Sequence, residues 1–201
     1  MLNNPTAPLH PAEAQILAKL PETTRERLRA LRMMVFDVDG VLTDGRLWYS
    51  EQGEVFKGFH ALDGHGLRML GESGISVAII TGRESGIVAR RAAELGIRFV
   101  HQGVGDKVAI LSQIAQENGL ALNELGYMGD DLIDLAAMQR VGFSASVPNA
   151  PFYVSQMASW VSTLPAGQGA VRECCDAILA AQGRLATFIT GGLLKTTGVI
   201  Q

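Results

Sequence analysis

The sequence has few cysteines and little net charge, and each shortage excludes a class of protein. Its two cysteines, Cys174 and Cys175, are adjacent. Adjacent cysteines are poorly placed for an ordinary disulfide and cannot form a metal cage by themselves. This excludes a disulfide-rich secreted domain and predicts two small buried apolar side chains in a reducing compartment. The net charge of -3 gives no electrostatic basis for binding nucleic acid or an anionic membrane.

Long apolar runs are also missing. No stretch has the length needed to cross a bilayer, and the amino-terminal residues lack the basic-then-apolar pattern of a secretion signal. We therefore expect a soluble cytoplasmic protein with neither a membrane nor a nucleic acid as partner. With 47% hydrophobic residues among 201, the chain is long enough for one globular domain with a sizeable core.

What is present, from residue 33 onward, is an alternation of short apolar runs with helical patterns. The apolar runs are "MMVFDV", "SVAII", "RFV", "LGYMG" and "GFSASV". Apolar residues at helical spacing lie between them, for example Val88, Ala92 and Leu95. This alternation predicts an α/β fold, a doubly wound parallel sheet with helices on both faces.

Three segments stand apart from the alternation. Residues 1–32 form an amino-terminal extension that is helical or partly disordered, and residues 183–201 form a carboxyl-terminal tail without the caps expected of a helix. Between them, residues 33–182 make up the domain. Residues 45–59 within it are expected to form a β-hairpin insert around Gly53. Apolar hairpin side chains must be covered, either by the same subunit or by a neighbouring one.

Acidic residues end the first predicted strand. In "MMVFDVDGVLTDG", Asp37 and Asp39 follow a run that reads as a buried strand, and burying a carboxylate is costly without a partner. In a doubly wound sheet, ligands bind beyond the carboxyl ends of the strands. Other polar residues are predicted at the same edge: Thr81, Gly82 and Arg83 after "SVAII", Asp130 and Asp131 after "LGYMG" with Asp134 one turn later, and Lys107 at a helix start.

These residue types together suit phosphoryl transfer. Asp37, Asp39 and Asp130 can present oxygens to Mg²⁺, which takes a few carboxylates together with water and phosphate oxygens. One carboxylate can attack phosphorus, a second can carry the proton, and a cation with a lysine can neutralise the transferring group. A turn or a helix cap explains any one of these motifs, but not all four in this order.

The motifs "DVDGVLTD", "IITGR", Lys107 and "GDDLIDL" resemble those of the haloacid dehalogenase superfamily of phosphohydrolases. Longer stretches, including "DGRLWYSEQGEVFKGFHALDGHGLRML" and "GQGAVRE", are similar to the 3-deoxy-D-manno-octulosonate 8-phosphate phosphatase family. That family lacks a cap domain. Its members are typically tetramers whose hairpins form a central barrel, and a neighbour's tail can cover the active site. The resemblance therefore implies a homotetramer assembled through residues 45–59.

The resemblance also implies roles for individual residues. Asp37 would be the nucleophile and Asp39 the general acid/base, while Thr81 and Lys107 would hold the phosphoryl group. Mg²⁺ would be bound by Asp37, the Asp39 backbone carbonyl and Asp130. Asp131 and Asp134 would orient these ligands or contact the metal indirectly.

The substrate implied is a small phosphorylated sugar acid, 3-deoxy-D-manno-octulosonate 8-phosphate, used in lipopolysaccharide precursor synthesis. The alternatives are a nonulosonate 9-phosphate, another small phosphate ester, or a non-catalytic oligomeric module. Leu62 and Gln168 depart from the family pattern, which has arginine at both positions.

Gly82, Arg83 and Arg172 stay candidates for binding substrate. For Arg172 the alternative is a helix-surface ion pair with Asp176, four residues later. Asp63, between His60 and His65, is expected to cap a helix rather than to bind a metal with the two histidines.

Overall fold

A parallel sheet forms the centre of the molecule. The computed structural model describes residues 9–196, with side chains up to residue 191. In this part of the chain six parallel strands lie in the order β5-β4-β1-β6-β7-β8. Their bounds are β1 Met33–Phe36, β4 Ser76–Ile80, β5 Phe99–His101, β6 Leu125–Met128, β7 Phe143–Ser146 and β8 Trp160–Val161.

Helices cover both faces of this sheet. One face carries α1 Pro11–Ala18, α2 Glu22–Ala30, α3 Ala61–Glu72, α4 Gly86–Leu95, α8 Ala170–Ala181 and α9 Leu185–Thr196, and the other carries α5 Lys107–Glu117, α6 Leu132–Met138 and α7 Phe152–Ser155. A 3₁₀ turn, Leu122–Glu124, precedes β6. Along β1, Met34 and Phe36 pack in the first apolar layer, whereas Met33 and Val35 pack in the second. A strand buried on both faces is typical of a doubly wound sheet, so the predicted fold class is confirmed.

The hairpin insert is present as predicted. Strands β2 Trp48–Ser50 and β3 Gly53–Phe56 pair antiparallel, and the Trp48 and Phe56 rings stack with centroids 4.9 Å apart. Among residues 9–196, the segment between β1 and α3 holds this hairpin and no cap domain. Several large apolar side chains of the hairpin are exposed on the single chain: Leu47, Trp48, Tyr49, Val55 and Phe56.

The two ends of the described chain pack on the same face of the domain. Leu28 and Leu31 of the amino-terminal segment are buried in the apolar layer that also contains α8. The Gln182 side chain donates hydrogen bonds to the carbonyls of both leucines, at 3.1 and 2.8 Å. Cys174 and Cys175 lie buried and unbridged in α8, as predicted for small apolar residues.

Three local expectations need correction. Strand β8 pairs with the end of β7 and was not predicted, because it is only two residues long. The segment predicted as an uncapped tail is helical over Leu185–Thr196, while residues 197–201 lie outside the described part. Asp63 does not cap α3, because the helix begins at Ala61 and places Asp63 inside its first turn.

No helix within residues 9–196 combines the length and the hydropathy that crossing a bilayer would require.

Candidate active site

The sheet register brings the predicted acidic residues to one edge. The last residue of β1, Phe36, is aligned with Ile79 of β4 and with Met128 of β6. Asp37 leaves β1 one position later, and Asp130 leaves β6 two positions after its aligned residue. Thr81 follows β4 at the same edge, where it is 2% exposed. The predicted convergence of these motifs is therefore present in the structure.

A strand-edge cluster surrounds Asp37; we use this name for Asp37, Lys107, Tyr127, Asp130 and Asp134. Lys107 opens α5, whose N-cap Asp106 accepts hydrogen bonds from the N–H groups of residues 108 and 109. The lysine Nζ lies 3.0 Å from Asp37 Oδ1 and 2.6 Å from Asp134 Oδ1. A cation is thus held between two buried carboxylates, which offsets part of the cost of burying each charge.

Asp134 organises this cluster with both of its oxygens. Its Oδ1 accepts the Lys107 hydrogen bond and a second one from the Tyr127 hydroxyl at 2.7 Å. Its Oδ2 accepts the backbone N–H groups of Asp130 and Asp131, at 3.1 and 3.2 Å. Asp134 is fully buried and its oxygens are occupied, so it orients its neighbours instead of offering a free ligand atom.

Burial and mutual repulsion raise the pKa values of Asp37 and Asp130, the two other carboxyl groups of the strand-edge cluster. Burial, followed by the Asp134 charge, raises the pKa of Asp37 to about 6, and Lys107 opposes this rise. Burial, followed by the charges of Asp37 and Asp134, raises the pKa of Asp130 to about 7. Three carboxylates, Asp37, Asp130 and Asp134, crowd one place, and the single charge of Lys107 compensates them only in part. A bound cation would relieve the remaining repulsion.

The donor set fits a divalent cation. Carboxylate oxygens of Asp37, Asp130 and Asp134 lie within 4.8 Å of one another, and Asp130 Oδ1 is buried without a hydrogen-bond partner among the described residues. Gly40, with φ of 88°, lies so close that a Cβ there would be 2.0 Å from Asp130 Oδ2. A glycine is therefore required for the loop after β1 that carries Asp37 and Asp39, the acidic loop, to approach Asp130. Since Asp134 is engaged, Asp37 and Asp130 are the side chains available to a hard cation such as Mg²⁺.

Asp39 lies on the other side of the site, in contact with the hairpin. Its Oδ1 is 2.5 Å from the Nζ of Lys57, which follows β3, and Lys57 also contacts Glu54 Oε1 at 3.0 Å. The Ser85 hydroxyl donates to the other Glu54 oxygen, and Ser85 is the N-cap of α4. We call Asp39, Glu54, Lys57 and Ser85 the hairpin cluster.

The other predicted site residues lie at different distances from these two clusters. The Arg83 Nε is 3.9 Å from Asp39 Oδ2, and its guanidinium lies over the Tyr49 ring, 5.6 Å from the centroid. Gly82, between Thr81 and Arg83, is exposed, and Asp131 accepts a hydrogen bond from the N–H of Leu132 as the N-cap of α6.

Arg172, by contrast, makes the ion pair with Asp176 that was the alternative to its role as a substrate-binding candidate, with Nε and Oδ1 2.8 Å apart. Its backbone N–H donates to Asp63 Oδ1 at 2.8 Å. This contact joins the start of α3 to the start of α8. Nearby, the Gly167 N–H donates to the Val41 carbonyl, so the loop before α8 lies against the acidic loop after β1.

Sequence reasoning missed Tyr127 and Lys57. Tyr127 belongs to the strand run "LGYMG" and is fully buried, and a buried tyrosine hydroxyl generally needs a polar partner. Lys57 interrupts the apolar pattern of "VFKGF", and its side chain is 2% exposed. Each was an unusual polar residue in an apolar stretch, but the sequence did not show which carboxylate it would meet.

Comparison with known proteins agrees with this geometry. A family model described as haloacid dehalogenase-like hydrolase matches residues 94–173. The chain is 40% identical to the 3-deoxy-D-manno-octulosonate 8-phosphate phosphatase of Haemophilus influenzae, over 86% of this chain and 96% of that protein.

Solved structures give the same result. A probable phosphatase from Pseudomonas syringae is 43% identical with a TM-score of 0.84, covering 86% of this chain and 98% of that one. The 3-deoxy-D-manno-octulosonate 8-phosphate phosphatase of Moraxella catarrhalis, solved with magnesium, phosphate and a KDO molecule, is 41% identical with a TM-score of 0.82. The alignment covers 84% of this chain and 97% of that one. The chain therefore belongs to the 3-deoxy-D-manno-octulosonate 8-phosphate phosphatase family of haloacid dehalogenase-like hydrolases and is a phosphatase.

Proposed function

We propose that the protein is a Mg²⁺-dependent phosphomonoester hydrolase that works through an aspartyl-phosphate and acts on 3-deoxy-D-manno-octulosonate 8-phosphate. The observation that carries this proposal is the strand-edge cluster, in which a buried lysine lies 3.0 Å from Asp37 and an unsatisfied Asp130 oxygen lies beside it. The relatives named for this activity support the choice of substrate.

In the first step a carboxylate oxygen of Asp37 attacks phosphorus, and the bond between phosphorus and the sugar oxygen breaks. Asp39 gives its proton to the departing sugar oxygen, which leaves as an alcohol. Lys107 and Thr81 hold the phosphoryl oxygens during this transfer. Lys107 is suited to the role because its ammonium group is fixed by Asp134 at the strand edge.

In the second step water attacks the phosphorus of the aspartyl-phosphate and gives its proton to Asp39. The bond between phosphorus and the Asp37 oxygen breaks, which restores both aspartates and releases inorganic phosphate. Asp37, Asp130 and the backbone carbonyl of Asp39 would hold Mg²⁺, which when bound supplies positive charge that stabilises the transferring phosphoryl group.

Substrate recognition is proposed to involve Arg83 and the neighbouring Gly82. Arg83 is favoured over Arg172, because Arg83 faces Asp39 whereas the Arg172 guanidinium is paired with Asp176. An arginine suits a sugar-acid carboxylate, with which it can make two parallel hydrogen bonds. We further propose that the exposed apolar hairpin assembles a homotetramer and that the reaction takes place in the cytoplasm, in lipopolysaccharide precursor synthesis.

The deciding experiment measures phosphate release with and without Mg²⁺. We expect full turnover of octulosonate 8-phosphate with Mg²⁺, none in excess chelator, and poor support by Ca²⁺, which prefers larger and looser coordination. Asp37→Asn should lower kcat by at least about 10⁴-fold, since it removes the nucleophile. Asp106→Asn is the matched control, because asparagine also caps a helix. Full activity in chelator would contradict the proposed dependence on Mg²⁺. An active Asp37→Asn enzyme would contradict the proposed role of Asp37 as the nucleophile.

The same assay separates the candidate substrates. Faster turnover of a nonulosonate 9-phosphate or of a simple ester, compared at equal concentration, would replace the proposed substrate and keep the mechanism. No turnover of any ester with Mg²⁺ would favour the non-catalytic oligomeric module.

A further inference from the structure

A buried lysine connects the hairpin insert to the candidate active site. Lys57 follows β3 directly, and its side chain is 2% exposed. Burying an ammonium group is costly unless it is paired, and Lys57 is paired twice, with Asp39 at 2.5 Å and with Glu54 at 3.0 Å. The ammonium group therefore joins Asp39 to Glu54 of the hairpin.

The Lys57 contact is part of a larger network. Glu54 accepts a hydrogen bond from the Ser85 hydroxyl, and Ser85 Oγ also accepts the N–H of Val88 at 3.3 Å to cap α4. That helix follows the Thr81–Arg83 segment at the strand edge. The position of Lys57 is thus fixed from two sides, by its own hairpin strand and by the start of α4.

The two oxygens of Asp39 are in different environments. Oδ1 is engaged by the buried Lys57, whereas Oδ2 has Arg83 at 3.9 Å, and the Arg83 side chain is 44% exposed. Holding one oxygen of a carboxyl group fixes the direction of the other. A short contact to a fixed cation would therefore aim Oδ2 at the group with which it exchanges a proton.

We propose that Lys57 is a positioning residue for Asp39, so that the hairpin insert sets the orientation of the general acid/base. The inference rests on the proposed function, in which Asp39 gives its proton to the leaving oxygen and takes one from water. Lys57 acts through Asp39 and takes no part in breaking the phosphorus–oxygen bond itself.

The test uses the dependence of the rate on the leaving group. An aryl ester such as p-nitrophenyl phosphate releases a stable phenolate and needs little protonation, whereas an alkyl phosphate releases an alkoxide and needs a general acid. We expect Lys57→Met to lower kcat about 10²-fold on octulosonate 8-phosphate and only a few-fold on p-nitrophenyl phosphate. Lys57→Arg should recover part of the alkyl-ester rate. Equal losses on the two esters would indicate a merely structural role and overturn the proposal.

Arg46→Met is the matched control. Arg46 lies at the base of the hairpin, carries the same charge, and has a side chain that is 75% exposed. We expect its rates on both esters to stay within about twofold of the wild-type values, because an exposed charge contributes little. A selective loss on the alkyl ester in Arg46→Met would assign the effect to hairpin charge in general and overturn the role of Lys57.

A double-mutant cycle then asks whether Lys57 works through Asp39. We expect the Lys57→Met/Asp39→Asn enzyme to be no slower on the alkyl ester than Asp39→Asn alone, because a positioning residue has no effect once its target is removed. Multiplicative losses would overturn the proposal. If Lys57→Met does not fold, as judged by circular dichroism, Glu54→Gln replaces it. That variant removes one of the two charges that hold Lys57 in place. We expect a selective but smaller loss of kcat on the alkyl ester, and an equal loss on both esters would overturn the proposal.

Failure of the proposed substrate can be distinguished from failure of this inference. If the wild-type enzyme does not hydrolyse octulosonate 8-phosphate but hydrolyses another primary alkyl phosphate, the proposed substrate is wrong. The Lys57 comparison is then made on that alkyl ester, and its outcome decides the positioning role in the same way.

Discussion

The two polar clusters of this molecule are built from different parts of the fold. The strand-edge cluster consists of side chains at the ends of core strands and the starts of core helices, and its members Asp37, Lys107 and Asp134 are at most 5% exposed. The hairpin cluster joins Asp39 to an insert whose own strands leave their apolar side chains exposed. One cluster is therefore held by the core of a single chain, whereas the other depends on a two-stranded hairpin.

This difference suggests a division of the chemistry. In the proposed mechanism, the nucleophile, the carboxylate ligands of the cation and the phosphoryl-binding lysine belong to the strand-edge cluster, whereas proton transfer belongs to Asp39 of the hairpin cluster. An isolated hairpin is marginal in water, so the orientation of Asp39 would depend on what covers β2 and β3. Substitutions in the strand-edge cluster should then lower the rate on every substrate. Substitutions in the hairpin should lower the rate mainly on substrates with poor leaving groups.

The largest effect in this comparison is expected for Asp134→Asn. This change removes the charge that orients Lys107 and breaks a buried ion pair, so we expect about 10²-fold lower kcat on alkyl and aryl esters alike. Lys107 keeps Asp37 as a partner, so the free energy of unfolding should fall by only about 1–3 kcal/mol, for the weakened hydrogen bonds of the buried network. Urea unfolding and rates per folded molecule measure both effects, with Asp106→Asn as the exposed control. A loss confined to alkyl esters would contradict the proposed division.

A smaller effect is expected when the hairpin surface is changed. Val55 is 55% exposed on the single chain, and Val55→Glu would place a charge in the proposed interface. We expect the tetramer to dissociate and the alkyl-ester kcat to fall about tenfold, equivalent to roughly 1.4 kcal/mol, with less change on p-nitrophenyl phosphate. Light scattering and steady-state rates provide the measurements.

The control for this hairpin change is Glu51→Gln, an exposed residue at the turn between β2 and β3. It should leave both assembly and rates unchanged. A Val55→Glu enzyme that remains tetrameric would contradict the interface. One that dissociates with an unchanged alkyl-ester rate would break the link between assembly and proton transfer.

The strand-edge cluster could largely be predicted from the sequence, because its residues follow local patterns. A short apolar run predicts a buried strand, and in a parallel sheet the residues after such strands meet at one edge. Asp37, Lys107 and Asp130 were found in this way, and their convergence followed from topology alone. Asp134 was correctly expected near the site, but its four hydrogen bonds depend on three-dimensional contacts that no spacing shows.

The hairpin cluster and the carboxyl-terminal helix were less predictable, because tertiary contacts determine them. Lys57 meets Asp39 across 18 positions of the chain, and no local pattern encodes that pairing. Helix α9 has Gly191 and Gly192 in its interior, which lowers its intrinsic propensity. It is stabilised instead by burial of Leu185 and by the hydrogen bond from the Ala186 N–H to Glu13 Oε1 at 2.9 Å.

The pH dependence of stability offers a test of the strand-edge cluster without an activity assay. The pKa values of Asp37 and Asp130 are raised in the folded protein, to about 6 and about 7. The folded state therefore binds more protons than the unfolded state between about pH 4 and 7, and stability of the metal-free protein should fall as pH rises through this range. Mg²⁺ should reverse the fall, because it neutralises the crowded carboxylates.

Asp130→Asn gives the sharpest form of this measurement. In chelator at pH 8 we expect it to raise the melting temperature by roughly 4–8 °C, corresponding to about 2 kcal/mol after allowance for solvent screening. It should also abolish most of the stabilisation by Mg²⁺. Wild-type protein whose melting temperature rises from pH 5 to 8 without metal would contradict the crowding of these carboxyls.

The smallest effect is expected at Leu62, where the resemblance leads us to expect arginine in the family. Leu62 is 54% exposed in the first turn of α3, and the neighbouring Asp63 binds the start of α8, next to the loop that lies against the acidic loop. The exposed position leaves room for an arginine side chain, which can pair with a carboxylate. We expect Leu62→Arg to lower KM for octulosonate 8-phosphate about fivefold, roughly 1 kcal/mol for one hydrogen bond. Leu62→Gln is the uncharged control, and p-nitrophenyl phosphate, which has no carboxylate, should keep its KM in both variants. An equal fall in KM for both esters would mean that position 62 does not recognise the carboxylate, and specificity would then have to come from the Arg83 side of the site.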